Sequence, residues 1–200
     1  PPSSFEGTGK TLLARSAAAE CQAQFIAVDA SELAGTFLGE TEENLRRAFA
    51  RARAAAQQGA CVLFIDEIDA LCPRREAGAS YENRVVAQLL TLMDGIKSRG
   101  QLVVIAATNR PNAIDPALRR PGRFDRELRI GVPNAAQRLR ILQYHTAGMP
   151  LHADCDLQAM AERTVGYVGA DLAALCRAAG FAALKDHLRS LGDGKVVAVV

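Results

Sequence analysis

Apolar and polar positions along this chain fall into two textures: short, nearly unbroken apolar runs, and longer stretches whose apolar residues recur every three or four positions. The runs Phe25 to Asp29, Cys61 to Asp66 and Leu102 to Thr108, with a shorter one near Leu128 to Ile130, predict buried strands, because they lack the polar alternation of a half-solvated strand. Between them, Thr41 to Gln58 sets Leu45, Phe49, Ala52 and Ala56 on one helical face. Glu42/Arg46 and Glu43/Arg47 are spaced four apart as favourable pairs, and Gly59 follows as a stop. Ser80 to Met93 carries a second apolar stripe of Val86, Leu89, Leu90 and Met93. Strands alternating with helices predict an α/β fold: a parallel sheet covered by helices on both faces.

The texture changes after Val132-Pro133-Asn134, where helices take over: Ala135 to Thr146, Asp156 to Arg163 and Gly169 to His187. Asn134 with Gln137 three residues later has capping-box spacing. Residues 1–133 are therefore expected to form the α/β portion and residues 134–190 a small helical subdomain. Residues 191–200 are left as a tail without assigned structure, its KVVAVV end reading as a strand without a partner.

Composition narrows the classes. The chain is 200 residues long and 49% hydrophobic; a chain of that size buries roughly 70% of the surface it exposes when unfolded. The net charge is +2, with arginines interleaved among acids, so there is no polyanion-binding footprint and no specific nucleic acid partner is expected. Five cysteines lie far apart with no C-x-x-C pair, three of them in apolar stretches. They read as buried hydrophobes of a reducing compartment, cytoplasmic or nuclear. No apolar run approaches the ~20 residues of a membrane span, and the first residues lack a signal-peptide pattern.

Four segments carry chemistry. Gly7-Thr8-Gly9-Lys10-Thr11 precedes a helix-forming stretch. Its glycines suit a backbone wrapped around phosphate oxygens, Lys10 the terminal phosphates, and the Thr11 hydroxyl Mg2+. Taken alone it is also a glycine turn before a helix, and Ser4 stands where the strict phosphate-loop pattern has its first glycine. Cys61 to Ile65 ends in Asp66 and Glu67. At the carboxyl end of a parallel strand, Asp66 would reach Mg2+ and Glu67 would polarise an attacking water; otherwise Asp66 caps the following turn and Glu67 is solvated. A third apolar strand ends near Asn109, placed for the γ-phosphate or for a turn before Pro111. Finally, Arg119 to Glu127 concentrates arginines beside turn residues, as a solvated face or as phosphoryl clamps, including Arg123 and Arg126.

Together these segments resemble the AAA ATPases, and most closely the first ATPase domain of the valosin-containing-protein family. The matching stretches are GTGKTLLARSAAAEC, GETEENLRRAFARARA, VLFIDEIDALCPRR, QLLTLMDG, AATNRPNAIDPALRRPGRFDRE and GYVGADLAALCRAA. The resemblance implies a P-loop NTPase sheet with a helical lid, an ATP hydrolase that uses ATP and Mg2+, and a homohexameric ring of identical or related subunits that unfolds protein substrates delivered by adaptors. It also implies residue roles. Gly7, Thr8, Gly9, Lys10, Thr11 and Leu12 would bind nucleotide, Thr11 and Asp66 the metal, and Glu67 and Asn109 would serve hydrolysis. Arg123 and Arg126 would act on the neighbouring subunit's ATP, while His145, Gly169 and Ala170 of the lid would contact ribose and base. Asp94-Gly95 matches the segment that relays nucleotide state between subunits. Phe37 and Leu38 fall at the substrate-gripping pore loop, although Phe37 could instead tuck against the sheet, and His145 is also a plain surface histidine.

The chain departs from the family at its start. The family has GPPGTGKT after a buried strand, whereas Pro1-Pro2-Ser3-Ser4-Phe5-Glu6 stands here, as a replacement of the first Gly-Pro-Pro or as an insertion over residues 3–6. The central strand before the loop is expected to be absent, and with it the upstream part of the adenine pocket. A second reading follows, a hydrolysis-incompetent remnant that acts as an interaction module. A third, a P-loop protein working on nucleic acid, is opposed by the near-neutral charge and the Phe37 loop.

Overall fold

The computed structural model describes residues 7–35, 37, 39–72, 80–96 and 101–190. Leu38, the altered start over residues 1–6 and the tail over residues 191–200 lie outside them. The chain divides into two compact units, one spanning Lys10–Arg129 and the other joining residues 7–9 to residues 130–190. The boundary expected between residues 133 and 134 thus falls four residues earlier, and the glycines before Lys10 group with the helical unit.

In the first unit the order is α1 (Lys10–Glu20), β1 (Gln24–Asp29), α2 (Ala30–Leu33), α3 (Glu40–Ala56), β2 (Cys61–Asp66), α4 (Ser80–Asp94) and β3 (Leu102–Ala106). The described strands form one parallel sheet in the order β1-β2-β3, with Gln24 opposite Cys61 and Cys61 opposite Leu102. The central strand shows why an unbroken apolar run was needed. Leu63 and Ile65 face α3 and α4 among Leu45, Phe49, Val85, Val86 and Leu89, while Phe64 faces the other way onto Ala14 of α1 and Ala107. Each such large side chain contributes roughly 1.5–3 kcal/mol when fully buried. Both faces are covered, as the pattern required.

The strand expected near Leu128 to Ile130 does not form. That stretch pairs with no described strand, and Leu128 is 79% exposed. An apolar run becomes a strand only where a neighbour takes up its backbone N–H and C=O groups. On α3, Glu43 rather than Glu42 receives both arginines, Arg46 at 2.8 Å and Arg47 at 3.8 Å. These exposed pairs add at most a few tenths of a kcal/mol each, about 0.3–0.5.

The second unit packs α5 (Ala135–Thr146), α6 (Leu157–Arg163) and α7 (Gly169–Ser190) around Leu142, Ala161, Leu172 and Cys176. Asn134 and Gln137 make the reciprocal capping box, and Asp156 caps α6 by accepting from the amides of Gln158 and Ala159. Arg138 is buried, and its guanidinium donates to the carbonyls of Ala161 (2.9 Å) and Pro133 (2.8 Å), tying α5 to α6. All five cysteines are free: Cys61, Cys72 and Cys176 are buried, Cys21 and Cys155 exposed. Burial, with a smaller effect of the Asp115 charge, pushes the Cys72 thiol up to about 12, so it packs as an unreactive hydrophobe. No described helix is long and apolar enough to cross a membrane.

Candidate functional site

Lys10 and Thr11 open α1, Asp66 ends β2, and Asn109 follows β3, so the sheet topology alone brings three chain segments to one edge. Parallel strands all present their carboxyl ends there. The Lys10 ammonium donates to Asn109 Oδ1 across 99 positions of sequence, and Thr11 Oγ1 donates to Asp66 Oδ2 at 2.6 Å. Four residues expected to act on nucleotide are therefore adjacent within the first unit.

Glu67 is set apart from Asp66 by backbone geometry. Its φ of 51° and ψ of 39° lie in the left-handed region, which costs a residue with a Cβ about 1–2 kcal/mol. Its own N–H donates to Asp66 Oδ1 at 3.1 Å, and the next amide, Ile68, donates to the Ala107 carbonyl at 3.1 Å. The reversal ends β2, starts a short 3-10 turn over Ile68–Ala70 and leaves Glu67 exposed. Below it, Thr108 Oγ1 donates to Asp69 Oδ1 at 2.7 Å and accepts from the Arg110 amide at 2.8 Å, which fixes the backbone on either side of Asn109.

The Thr11 hydroxyl and Asp66 carboxylate form a hard oxygen pair of the kind Mg2+ takes when phosphates and waters complete its shell. Among the described residues no group of three or more His, Cys, Asp or Glu side chains is poised for a metal. A pair of protein oxygens leaves the rest of an octahedral Mg2+ shell to phosphates and waters.

In the second unit, Gly7 has φ +69° and Gly9 φ +91°, both conformations that glycine reaches without strain. The Gly7 carbonyl accepts from the Ala170 amide at 3.1 Å, and a Cβ at Gly7 would stand 2.6 Å from the Ala170 methyl. Close approach as well as φ therefore demands glycine at Gly7. A cavity of about 300 Å3 lies in this unit, lined by Thr8, Ile130, Pro133, Arg140, Ile141 and Gly169 among others. Gly169 was expected at such a place. Ile130, Arg140 and Ile141 were not, although Gln137, Arg140 and Ile141 share one face of α5 by their three- and four-residue spacing. His145 does not line the cavity; its exposed ring stands edge-on to Tyr144 with centroids 5.2 Å apart. Leu12 is 62% exposed on α1.

Of the two finger candidates, Arg123 is engaged within its own unit. Its Nε and Nη2 both donate to the Asp94 carboxylate at 2.9 Å, and Nη1 donates to the Ala117 carbonyl at 2.8 Å. Arg126 is exposed and makes no ion pair or hydrogen bond among the described residues. Arg119 pairs with Glu127 through two guanidinium nitrogens, which accounts for part of the charge run as solvated surface. Phe37 is 76% exposed rather than tucked against the sheet. Its amide donates to Glu40 Oε2 at 3.0 Å and the Gly35 amide to Thr41 Oγ1 at 2.8 Å, so the loop is pinned to the start of α3 with the ring outside.

The description "ATPase family associated with various cellular activities (AAA)" matches residues 4–132 of this chain. The chain belongs to the AAA ATPase family. An AAA+ lid domain matches residues 154–196, in keeping with the helices of the second unit. The human ATPase family gene 2 protein homolog B is 57% identical over 191 residues, covering 96% of this chain and 25% of that protein. The Cell division cycle protein 48 homolog of Archaeoglobus fulgidus is 54% identical over 180 residues, covering 90% of this chain and 24% of that protein. Protein SAV of Sulfolobus acidocaldarius is 56% identical over 180 residues, covering 90% and 23%. The chain thus spans about a quarter of the length of these relatives.

Proposed function

We propose that this AAA domain binds and hydrolyses ATP with Mg2+ as part of a homohexameric ring of identical or related subunits, and that the ring unfolds protein substrates, with adaptors as partners, in the cytoplasm or nucleus. The observation that carries this reading is the convergence of Lys10, Thr11, Asp66 and Asn109 at one edge of the sheet, with Glu67 held beside them in a strained conformation.

Lys10 turns its ammonium from Asn109 to the terminal phosphates, and Asn109 is thereby released toward the γ-phosphate or the incoming water. Thr11 and Asp66 hold the metal. Bound there, Mg2+ neutralises charge on the phosphate oxygens. Glu67, exposed beyond the strand end, orients a water and accepts its proton as the water oxygen bonds to the γ-phosphorus and the bond to the ADP oxygen breaks. Arg123 and Arg126 act on the neighbouring subunit's nucleotide, a contribution worth ~10³–10⁵ in rate where such arginines operate. The second unit's cavity, with Gly169 and Ala170 beside it, serves base or ribose, as does His145 once its ring turns from Tyr144. Phe37, exposed and pinned at its backbone, grips an extended chain without regard to sequence, and Leu38 extends that grip.

The test is Glu67→Gln, which keeps the side chain's size and removes its basicity. ATP affinity by calorimetric titration should stay within about two-fold while turnover falls by ~10²-fold or more. Parallel loss of binding and hydrolysis would refute the role given to Glu67.

A further inference from the structure

We propose that Glu40 is the positioning residue for the exposed Phe37 ring: it locks the backbone of residue 37 to the first turn of α3, so that the ring bears on an extended substrate chain without giving way. The inference rests on the proposed grip of Phe37 on unfolded protein and adds the residue that holds it.

A reciprocal pair of bonds carries the case. The Phe37 amide donates to Glu40 Oε2 at 3.0 Å, and the Glu40 amide donates back to the Phe37 carbonyl at 3.2 Å. Both main-chain groups of residue 37 are thereby held by one residue three positions on, with the reciprocity of a capping box. A carboxylate that accepts from an amide makes a charge-assisted bond, about twice as strong as a neutral one. The ring itself is 76% exposed and gains little from packing, so its backbone is what fixes its direction. An untethered loop loses conformational freedom each time it orders on a ligand, and a tether removes that cost from the binding step.

Neighbouring side chains hold the rest of the loop. The Gly35 amide donates to Thr41 Oγ1 at 2.8 Å, with Thr41 itself 1% exposed, and Asn44 Nδ2 donates to the Leu33 carbonyl at 3.1 Å. Glu40, Thr41 and Asn44, from the first two turns of one helix, thus take up backbone groups of residues 37, 35 and 33. Position 35 has to be glycine, since a Cβ there would stand 2.4 Å from Glu40 Cβ. α3 is in turn packed through Leu45 and Phe49 in the same core as Leu63 and Ile65 of β2, the strand that ends in Asp66. The ring is therefore mounted on a helix anchored to the sheet, and a pull on a held chain is borne by that helix.

The test uses the assembled ATPase with a tagged, folded substrate protein and reads the number of ATP molecules hydrolysed per substrate molecule unfolded, a ratio that an inactive fraction of enzyme leaves unchanged. Glu40→Ala should raise that ratio ~10-fold, because strokes slip when the ring is loose. Glu40→Gln keeps an acceptor oxygen at the same reach and should stay within about two-fold of wild type. Gly35→Ala, which drives the loop off Glu40, should raise the ratio as Glu40→Ala does. A fluorescein-labelled unstructured polypeptide, followed by anisotropy, should bind more weakly to Glu40→Ala. The double variant with Phe37→Ala should bind it no more weakly than Phe37→Ala alone, since Glu40 acts through the ring. An unchanged ratio in Glu40→Ala, equal impairment in Glu40→Gln, or additive losses in the double variant would each overturn the inference. Wild-type ratio and polypeptide binding in Phe37→Ala would instead refute the grip itself. Wild-type rings that hydrolyse ATP without unfolding the substrate would refute the proposed function, and this inference with it.

Discussion

At the scale of single residues, three side chains show how local environment sets the task. Glu67 departs from ordinary backbone geometry at the end of an otherwise regular strand, and the bonds of its own amide to Asp66 and of the next amide to Ala107 hold it there. Asp94 is tuned by its partner: the hydrogen bonds from Arg123, helped by its charge, hold the carboxyl below the usual range, and the same contact raises Arg123. A carboxyl whose folded pKa is depressed contributes stability that is present above its ordinary value of about 3.9 and is lost as pH falls through the lower folded value. The thermal midpoints of wild type and Asp94→Asn should therefore differ most near neutral pH and converge in acid, as a pH series of melting curves will report. Phe37 presents its ring to solvent, so Phe37→Ala should change folding stability by no more than about 0.5 kcal/mol. The same variant should retain basal ATPase activity and lose unfolding of a tagged substrate. An early melting transition in Phe37→Ala would show instead that the ring contributes to packing.

At the scale of elements, the caps decide where helices begin. Asn134 accepts from the Gln137 amide and Gln137 returns a side-chain acceptor to the Asn134 amide, both at 2.9 Å, so two otherwise orphaned donors are satisfied by four residues of sequence. Asn134→Ala should cost about 1 kcal/mol, measurable by urea titration, with no change in the helical content of the folded state. The strands follow a different rule. β2 matches its expected bounds of Cys61 to Asp66, because a central strand buried on both faces has no freedom to slip. The Leu128 to Ile130 stretch has similar residue types and joins none of the described strands, since strand formation belongs to a pair of segments rather than to one.

At the scale of the whole molecule, the two units have separate cores. The first centres on Leu45, Phe49, Leu63 and Ile65, the second on Leu142, Ala161, Leu172 and Cys176, and among the described residues no buried one belongs to both. Leu172→Ala should cost about 2–5 kcal/mol in the second unit. Hydrogen exchange should quicken through α5, α6 and α7 while the amides of β1, β2 and β3 keep their protection. Equal loss of protection in both units would mean that the chain unfolds as one cooperative body.

The sequence by itself determined what short-range rules govern. The apolar runs of β1, β2 and β3, the stripe on α3, the capping box at Asn134 and the glycines before Lys10 are each set by a few neighbouring residues and their periodicity. The likeness of six ordered segments to the AAA ATPases extended that reading to named site residues. Only the tertiary structure decided which distant groups meet. Lys10 lies beside Asn109 and Thr11 beside Asp66 because parallel strands end together. Arg123 closes on Asp94 because the loop after β3 returns to the end of α4, where the sequence offered several acids and several arginines at equal charge. The lining of the second unit's cavity by Ile130, Arg140 and Ile141 was hidden for the same reason. A residue's type fixes what it can bond, whereas the packing of elements far apart in sequence fixes which partner it finds.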